Sequence, residues 1–288
     1  MKKFAVIDIG SNSVRLMFVA DGKVLYKRLK TTRLGENIAQ TSRLKGEAIE
    51  RTAIAVAEFY AMAKSEGAKE VLAFATAAVR SAENGKEFTD RVNALCGLFI
   101  EVVSGETEAE LGILGALGKA DGCVLDIGGA STELVARKSG KTVYKKSVNV
   151  GVVRLKDTCG REVETLKDVC HSAVKAFEDF PCQDTLYAIG GTATTLASVF
   201  LGLTEYDPDR ITGTVLSCLQ IQELADKLSK MTVEEISAMP CMPKGRADVL
   251  SGGAVWLSVL TEELQIEKII VSDRDNLEGY AIWKGLLV

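Results

Sequence analysis

The residues with the clearest chemical potential stand in two short turns, Asp8-Ile-Gly-Ser-Asn-Ser13 and Asp126-Ile-Gly-Gly-Ala-Ser-Thr132. Each follows an apolar run, Phe4–Ile7 or Cys123–Leu125, that reads as a strand. Glycine at such a turn permits positive φ and close backbone approach. A tight turn aims several N–H groups at one point, which makes a nest for an anion. Aspartate at the strand end adds a carboxylate where a hard cation or a water can sit. A lone Asp-x-Gly turn is an ordinary hairpin. These two lie in register, 118 positions apart.

The register extends past the turns. Asp8, Ile9, Gly10, Ser13 and Leu16 coincide with Asp126, Ile127, Gly128, Ser131 and Leu134. Gly22, Lys23, Tyr26 and Lys27 coincide with Gly140, Lys141, Tyr144 and Lys145. A period this long excludes a solenoid and points to two related lobes.

Four further groups carry chemistry. Arg80 follows the strand Val71–Phe74, at the carboxyl end where open α/β sheets bind ligands. Its guanidinium suits a phosphate or a surface ion pair. Glu108, in Ser104-Gly-Glu-Thr-Glu108, opens a helix; it serves as a base for water or stabilises the helix N-terminus. Glu133 starts a strand, where it faces a metal, a water or solvent. Gly190-Gly191-Thr192 forms a third strand-to-helix corner, a place for an anion or simply a tight turn. Two basic groups, Lys27, Arg28, Lys30 and Arg33, and Arg137, Lys138, Lys141, Lys145 and Lys146, read as solvated strand edges or a polyanion channel. Gly112, Gly115 and Gly118 read as close-packing helix residues.

Alternating elements must position these groups. Helices are expected at 46–67, 86–96, 107–117, 163–180, 192–201, 219–230, 233–239, 247–264 and 277–287, and strands at 71–76, 98–103, 185–189 and 268–272. This alternation is α/β. With 288 residues there is room for two lobes, and four prolines leave no Pro-rich linker.

Composition narrows the chemistry. Seven cysteines without a Cys-x-x-Cys pair, and a single histidine, argue against structural zinc and suit reduced thiols in the cytoplasm. A net charge of −4 argues against long nucleic acid as a partner. No apolar run is long enough for a membrane span or a signal peptide. There is no P-loop and no Gly-x-Ser-x-Gly elbow.

As a set, the segments Ala5–Arg15, Ala75–Gly85, Val103–Ala109, Leu125–Leu134, Gly190–Ala197 and Gly245–Val249 resemble the exopolyphosphatase and guanosine pentaphosphate phosphatase (Ppx/GppA) family, in its order and over almost the whole chain. The resemblance is to a short form without the family's extra helical C-terminal domain. It implies an α/β, two-lobed, actin-like (ribonuclease H-like) fold with a mixed five-stranded sheet flanked by helices in each lobe. Lobe I would span 1–119, completed by the helix 277–288, and lobe II 120–276. It implies release of terminal phosphate from polyphosphate or guanosine pentaphosphate (pppGpp) in the interlobe cleft, with Mg²⁺, or Mn²⁺ in its place, by a homodimer. By motif position Glu108 resembles the catalytic base, and Asp126 and Glu133 the metal- and water-handling carboxylates, with Asp8 as a further metal ligand. Ser11, Asn12, Ser13, Arg80, Gly128, Gly129, Ser131 and Arg246 resemble phosphate ligands. The turn reading adds Asp8, Gly10, Thr132, Gly190 and Gly191. Ala130 stands where the family has a third glycine, and Asp275-Asn-Leu-Glu-Gly279 where it reads Gly-Leu-Arg-Glu-Gly, with Arg274 as the nearest arginine. A sugar or acetate kinase of the same superfold, or a binding protein without turnover, are the alternative readings.

Overall fold

The two copies of the repeat fold into the same three-stranded unit. A computed structural model describes residues 2–181 and 185–288; Cys182 lies outside the described residues. In the first copy β1 (Lys3–Ile9), β2 (Ser13–Ala20) and β3 (Lys23–Thr31) pair antiparallel. The short α1 (Ile38–Thr41) and the long α2 (Gly46–Ser65) follow. β4 (Glu70–Ala75) then adds parallel to β1. After α3 (Ala77–Ser81) and α4 (Gly85–Cys96), β5 (Ile100–Val102) adds parallel to β4. The sheet order is β3-β2-β1-β4-β5.

Helix α5 (Gly105–Leu117) leads into the second copy, made of β6 (Gly122–Ile127), β7 (Thr132–Lys138) and β8 (Lys141–Val148). Then come α6 (Val152–Cys159), α7 (Val163–Val174), β9 (Thr185–Ile189), α8 (Gly190–Phe200), α9 (Pro208–Ile211) and β10 (Val215–Ser217). The chain ends with α10 (Cys218–Lys230), α11 (Val233–Ser237), α12 (Ala247–Glu263), β11 (Lys268–Val271) and α13 (Asn276–Trp283). The second sheet is ordered β10-β11-β9-β6-β7-β8. Without its first strand this mirrors the first sheet, so the sequence repeat is a repeat of topology. The sixth strand is a correction to the expected five. β10 has three residues, antiparallel to β11, and three residues carry too little alternation to show in sequence.

The central strands explain the apolar runs. β1 and β6 have neighbours on both sides and are buried over nearly their whole length, as strands covered on both faces must be. The edge strands β3 and β8 are largely exposed or half-buried. On α2, Ile49, Ala53, Val56 and Phe59 repeat at helical spacing and pack on the first sheet. Beneath that sheet Tyr280 of α13 stacks on Phe74 at 4.5 Å, in a cluster with Phe4, Val6, Met17 and Leu111. Burying each such side chain contributes about 1.5–3 kcal/mol.

Several helices differ from expectation. The helix expected to reach residue 180 stops at Val174, with a 3₁₀ turn after it at Lys175–Phe177. The last helix stops at Trp283, because Gly285 adopts a φ of 71° and Leu286 N–H turns back to the Ala281 carbonyl. Helices α1, α3, α6 and α9 stand where the sequence pattern predicts none. Gly118 caps α5 at a φ of 58° instead of packing against a neighbour. Among the described residues, no helix is long and apolar enough to cross a membrane.

Candidate active site

Both turns close with the same hydrogen bond. Gly10 N–H donates to Ser13 O and Gly128 N–H to Ser131 O, each at 3.0 Å. Ala130 does not disturb this. Among the described residues it is not one of the non-glycines with positive φ, so a side chain there carries no backbone strain. The scaffold takes up the turn carbonyls: Asn12 O accepts from Thr32 and Arg33, Ser11 O from Gly35, and Gly129 O from Val153. Among the described residues, the N–H groups of Ser11, Asn12, Gly129 and Ala130 donate no backbone hydrogen bond, as a nest requires.

The turns meet face to face. A Cβ on Gly129 would lie 2.7 Å from Ser11 Cβ and 3.1 Å from Asn12 N, so only glycine allows the approach. A cleft of roughly 1250 Å³ opens beside them, lined by both turns and by Glu108, Gly190, Gly191 and Arg246. Gly190 has a φ of 79°, and a Cβ there would lie 2.4 Å from Asp126 Oδ1. At Gly191 it would lie 2.1 Å from Arg246 Nη2. The third glycine corner thus makes room for one carboxylate and one guanidinium.

Four carboxylates gather here from four elements: Asp8 from β1, Glu108 from the first turn of α5, Asp126 from β6 and Glu133 from β7. All are buried. Burial raises Glu108 to about 7; Arg80 opposes this, while Asp126 and Asp8 add to it. Burial, then the charge of Asp275, raises Asp126 to about 6. Burial and the neighbouring Glu108 and Asp126 push Glu133 well up. Burial also raises Asp8, against the pull of Arg15. Asp8 Oδ1 and Glu133 Oε2 have no hydrogen-bond partner. Among the described residues, no three metal-ligating side chains stand close enough to hold an ion by themselves.

The expected phosphate residues divide. Asp8, Gly10, Ser11, Asn12, Ser13, Gly128, Gly129, Ser131, Gly190, Gly191 and Arg246 line the cleft. Thr132 does not: it is fully buried, donates to Val150 O at 2.6 Å and accepts from Trp256 Nε1 at 2.9 Å. Glu133 lies behind the wall, taking a 2.6 Å hydrogen bond from Ser147. Arg80 is also outside the lining, and its Nη1 donates to Glu108 Oε2 and Val103 O, each at 2.9 Å. It makes the ion pair that its type allows, with Glu108 as partner. Arg246 is 9% exposed, its backbone N–H donates to Pro243 O at 3.1 Å, and among the described residues its guanidinium makes no hydrogen bond or ion pair. Burial, then Arg15, lowers it to about 10. A buried, unpaired guanidinium is a costly arrangement without an anion.

Of the basic groups, Lys27 and Arg28 line the cleft, and several members are ion-paired. Lys27 pairs with Asp273 at 3.0 Å and Glu278 at 2.8 Å, Arg33 with Asp248 at 2.9 Å, and Lys145 with Glu106 at 3.2 Å. Sequence reading also passed over Arg15, which pairs with both Asp8 and Asp275. It passed over Asn276 as well, whose Nδ2 donates to Asp126 Oδ2 at 2.9 Å. Arg15 ends the matching segment Ala5–Arg15, and Asn276 lies in the segment Asp275–Gly279 that departs from the family pattern.

One consequence can be measured without substrate. A raised carboxylate holds its proton more tightly folded than unfolded, so between its ordinary 4.5 and about 7 the folded protein binds more protons. Stability from this group therefore falls as pH rises across that window. Glu108→Gln removes the effect. Its Tm relative to wild type, by scanning calorimetry in chelator-treated buffer, is expected to climb from pH 4.5 to 7 and level off above. A constant difference would refute the raised value.

Comparison with known proteins agrees with this architecture. The model of the Ppx/GppA phosphatase family matches residues 18–282. The chain is 31% identical to Exopolyphosphatase 2 of Mycobacterium tuberculosis, over 98% of both chains. A crystal structure of an exopolyphosphatase-like protein superposes with a TM-score of 0.91 at 30% identity, over 98% of both chains. The Aquifex aeolicus Ppx/GppA family member superposes at 0.80 with 31% identity, covering 99% of this chain and 98% of the other.

Proposed function

This chain belongs to the Ppx/GppA phosphatase family, and from that premise we propose that it hydrolyses the terminal phosphoanhydride of inorganic polyphosphate, of pppGpp, or of both, in the cleft between its sheets. The observation that carries the reading is Glu108. It is a buried carboxylate raised to about 7, opening on a cleft that holds two anion nests and an unpaired guanidinium. A general base works best with a pKa near the working pH.

The proposed reaction uses the chain's own groups as follows. The turn N–H groups, the hydroxyls of Ser11, Ser13 and Ser131, and Arg246 bind the phosphates. Glu108, oriented by Arg80, takes a proton from water as the water oxygen bonds to the terminal phosphorus. The bridging P–O bond breaks, and the shortened chain or nucleotide leaves with that oxygen. Phosphoryl transfer needs mostly positioning and charge neutralisation, which preorganised donors supply.

The donor set also fits Mg²⁺. Asp126 and Asp8, with its unpartnered Oδ1, would hold it from the cleft wall, and Glu133, with its unpartnered Oε2, stands outside the lining. Mg²⁺ is commonly held by one or two carboxylates plus waters and phosphate oxygens, which suits a site that is incomplete without substrate. When bound it would neutralise charge on the phosphate oxygens.

A phosphate-release assay over tripolyphosphate, longer polyphosphates, pppGpp and ATP tests the reading. Expected is release from a polyphosphate or pppGpp, lost with EDTA and restored by Mg²⁺. Transfer of phosphate from ATP to a sugar or acetate would identify a kinase instead. Tight binding without release on any substrate would identify a binding protein.

A further inference from the structure

The first residues of α13 touch both halves of the site. Asp275 caps the helix, its Oδ1 accepting from Leu277 N at 3.0 Å in a capping box with Glu278. Its other oxygen takes Nη1 of Arg15, whose Nε donates to Asp8 Oδ2 at 3.0 Å. The next residue, Asn276, donates to Asp126 at 2.9 Å and is 3% exposed. Two adjacent residues thus hold the aspartates of both turns, one through Arg15 and one directly. Asp275 is 4% exposed, and Arg15 and Lys27 hold its carboxyl low although burial works to raise it.

The backbone that carries this pair is itself fixed. A Cβ on Gly115 would lie 1.8 Å from Asp275 O, and one on Gly279 1.9 Å from Leu111 O. A Cβ on Gly112 would lie 3.3 Å from Asn276 Oδ1. Helix α13 therefore sits backbone to backbone on α5, the helix that presents Glu108.

We propose that Asp275 and Asn276 are positioning residues that hold the two turn aspartates at one separation, so that a single phosphate-bearing ligand engages both nests. The proposal rests on the phosphate reading of the site, but its structural half can be tested apart from turnover. Both residues line the cleft beside the carboxylates they hold. Their effect runs through Asp8 and Asp126, as hydrogen-bond partners of ligating carboxylates act in other sites.

Asp275→Asn separates the two duties of Asp275. Asparagine caps a helix as well as aspartate does, but it removes the charge that holds Arg15. Asn276→Leu removes the bond to Asp126 at similar volume. Three readouts are used: Tm, amide hydrogen exchange over 8–13 and 126–132, and affinity for Mn²⁺ with tripolyphosphate by electron paramagnetic resonance. Expected for Asp275→Asn is a Tm lowered by loss of the buried charge that Arg15 and Lys27 stabilise, with the helix cap kept. Expected for both variants is faster exchange in the turns, about 10- to 100-fold weaker Mn²⁺ binding, and a fall in kcat larger than the change in KM.

Wild-type exchange and wild-type Mn²⁺ affinity in both variants would overturn the proposal and leave Asp275 as a helix cap only. If wild type binds Mn²⁺–tripolyphosphate but releases no phosphate, the hydrolase reading fails and the positioning proposal is decided by binding. If wild type binds none, the phosphate reading fails, and exchange alone decides: loosened turns sustain the pair's role, and unchanged turns end it.

Discussion

Glu108→Gln is expected to lower phosphate release by about 10²- to 10⁴-fold, the usual contribution of a positioned base, with substrate affinity changed only a few-fold. Glutamine matches the shape of glutamate and can still accept from Arg80, whose Nη1 lies 2.9 Å from Oε2. Only the capacity to take a proton is lost. Glu108→Ala leaves the part-buried guanidinium of Arg80 without its carboxylate, so it should lose at least as much activity and some stability as well. Asp126→Ala removes the carboxylate that Asn276 holds and that Gly190 leaves room for, and should weaken Mg²⁺ dependence together with kcat. Single-turnover kinetics with tripolyphosphate and pppGpp, beside equilibrium binding, measure both halves. Near wild-type turnover in all three variants would sink the mechanism.

The same residues show what a sequence can display and what it cannot. The turns were legible because a strand, an Asp-x-Gly and small polar residues recur in register, and local pattern dictates local backbone. The place of Glu108 in the first turn of α5 was legible, but Glu106 in the same turn faces solvent, so position alone did not distinguish the two. The raised pKa of Glu108 was not legible, since that depends on burial and on Asp126, 18 residues further along the chain. Thr132 carried the right side chain, but strand alternation turns it to the core, where Trp256 of α12 waits. Arg80 was read as a phosphate ligand or a surface pair, and its partner is Glu108, from another helix.

Arg15 and Asn276 were the deeper omissions. Arg15 reaches Asp275 across 260 positions and Asn276 reaches Asp126 across 150. No periodicity encodes such a meeting. It is set by how α13 docks, and that docking is written in glycines. The spacing of Gly112 and Gly115 marks them as packing residues, but their partners, Asn276 and Asp275, lie more than 150 positions away.

That docking yields the second large effect. Gly115→Ala and Gly279→Ala should each destabilise the protein although alanine is the better helix former. In an open helix the exchange gains about 1 kcal/mol. Here the new methyl would stand 1.8 Å from Asp275 O or 1.9 Å from Leu111 O, backbone atoms that cannot swing aside. The helices must separate, and overpacking of this kind costs about 3 kcal/mol or more, which outweighs the propensity gain. Tm should fall by roughly 3 °C or more. Gly46→Ala, at the start of α2 with nothing within 4 Å of the new methyl, is the matched control and should be neutral or slightly stabilising. Activity should fall further than stability does. Separating α5 from α13 moves Glu108 on one helix against Asp275 and Asn276 on the other, and a shift of about 1 Å at a reacting centre can cost 10²-fold. Assayed well below the lowered Tm, where the chain stays folded, both variants should lose about 10²-fold in kcat/KM. Wild-type activity at a reduced Tm would mean that the crossing holds the fold together without setting the site. A wild-type Tm would mean that the two backbones part without cost.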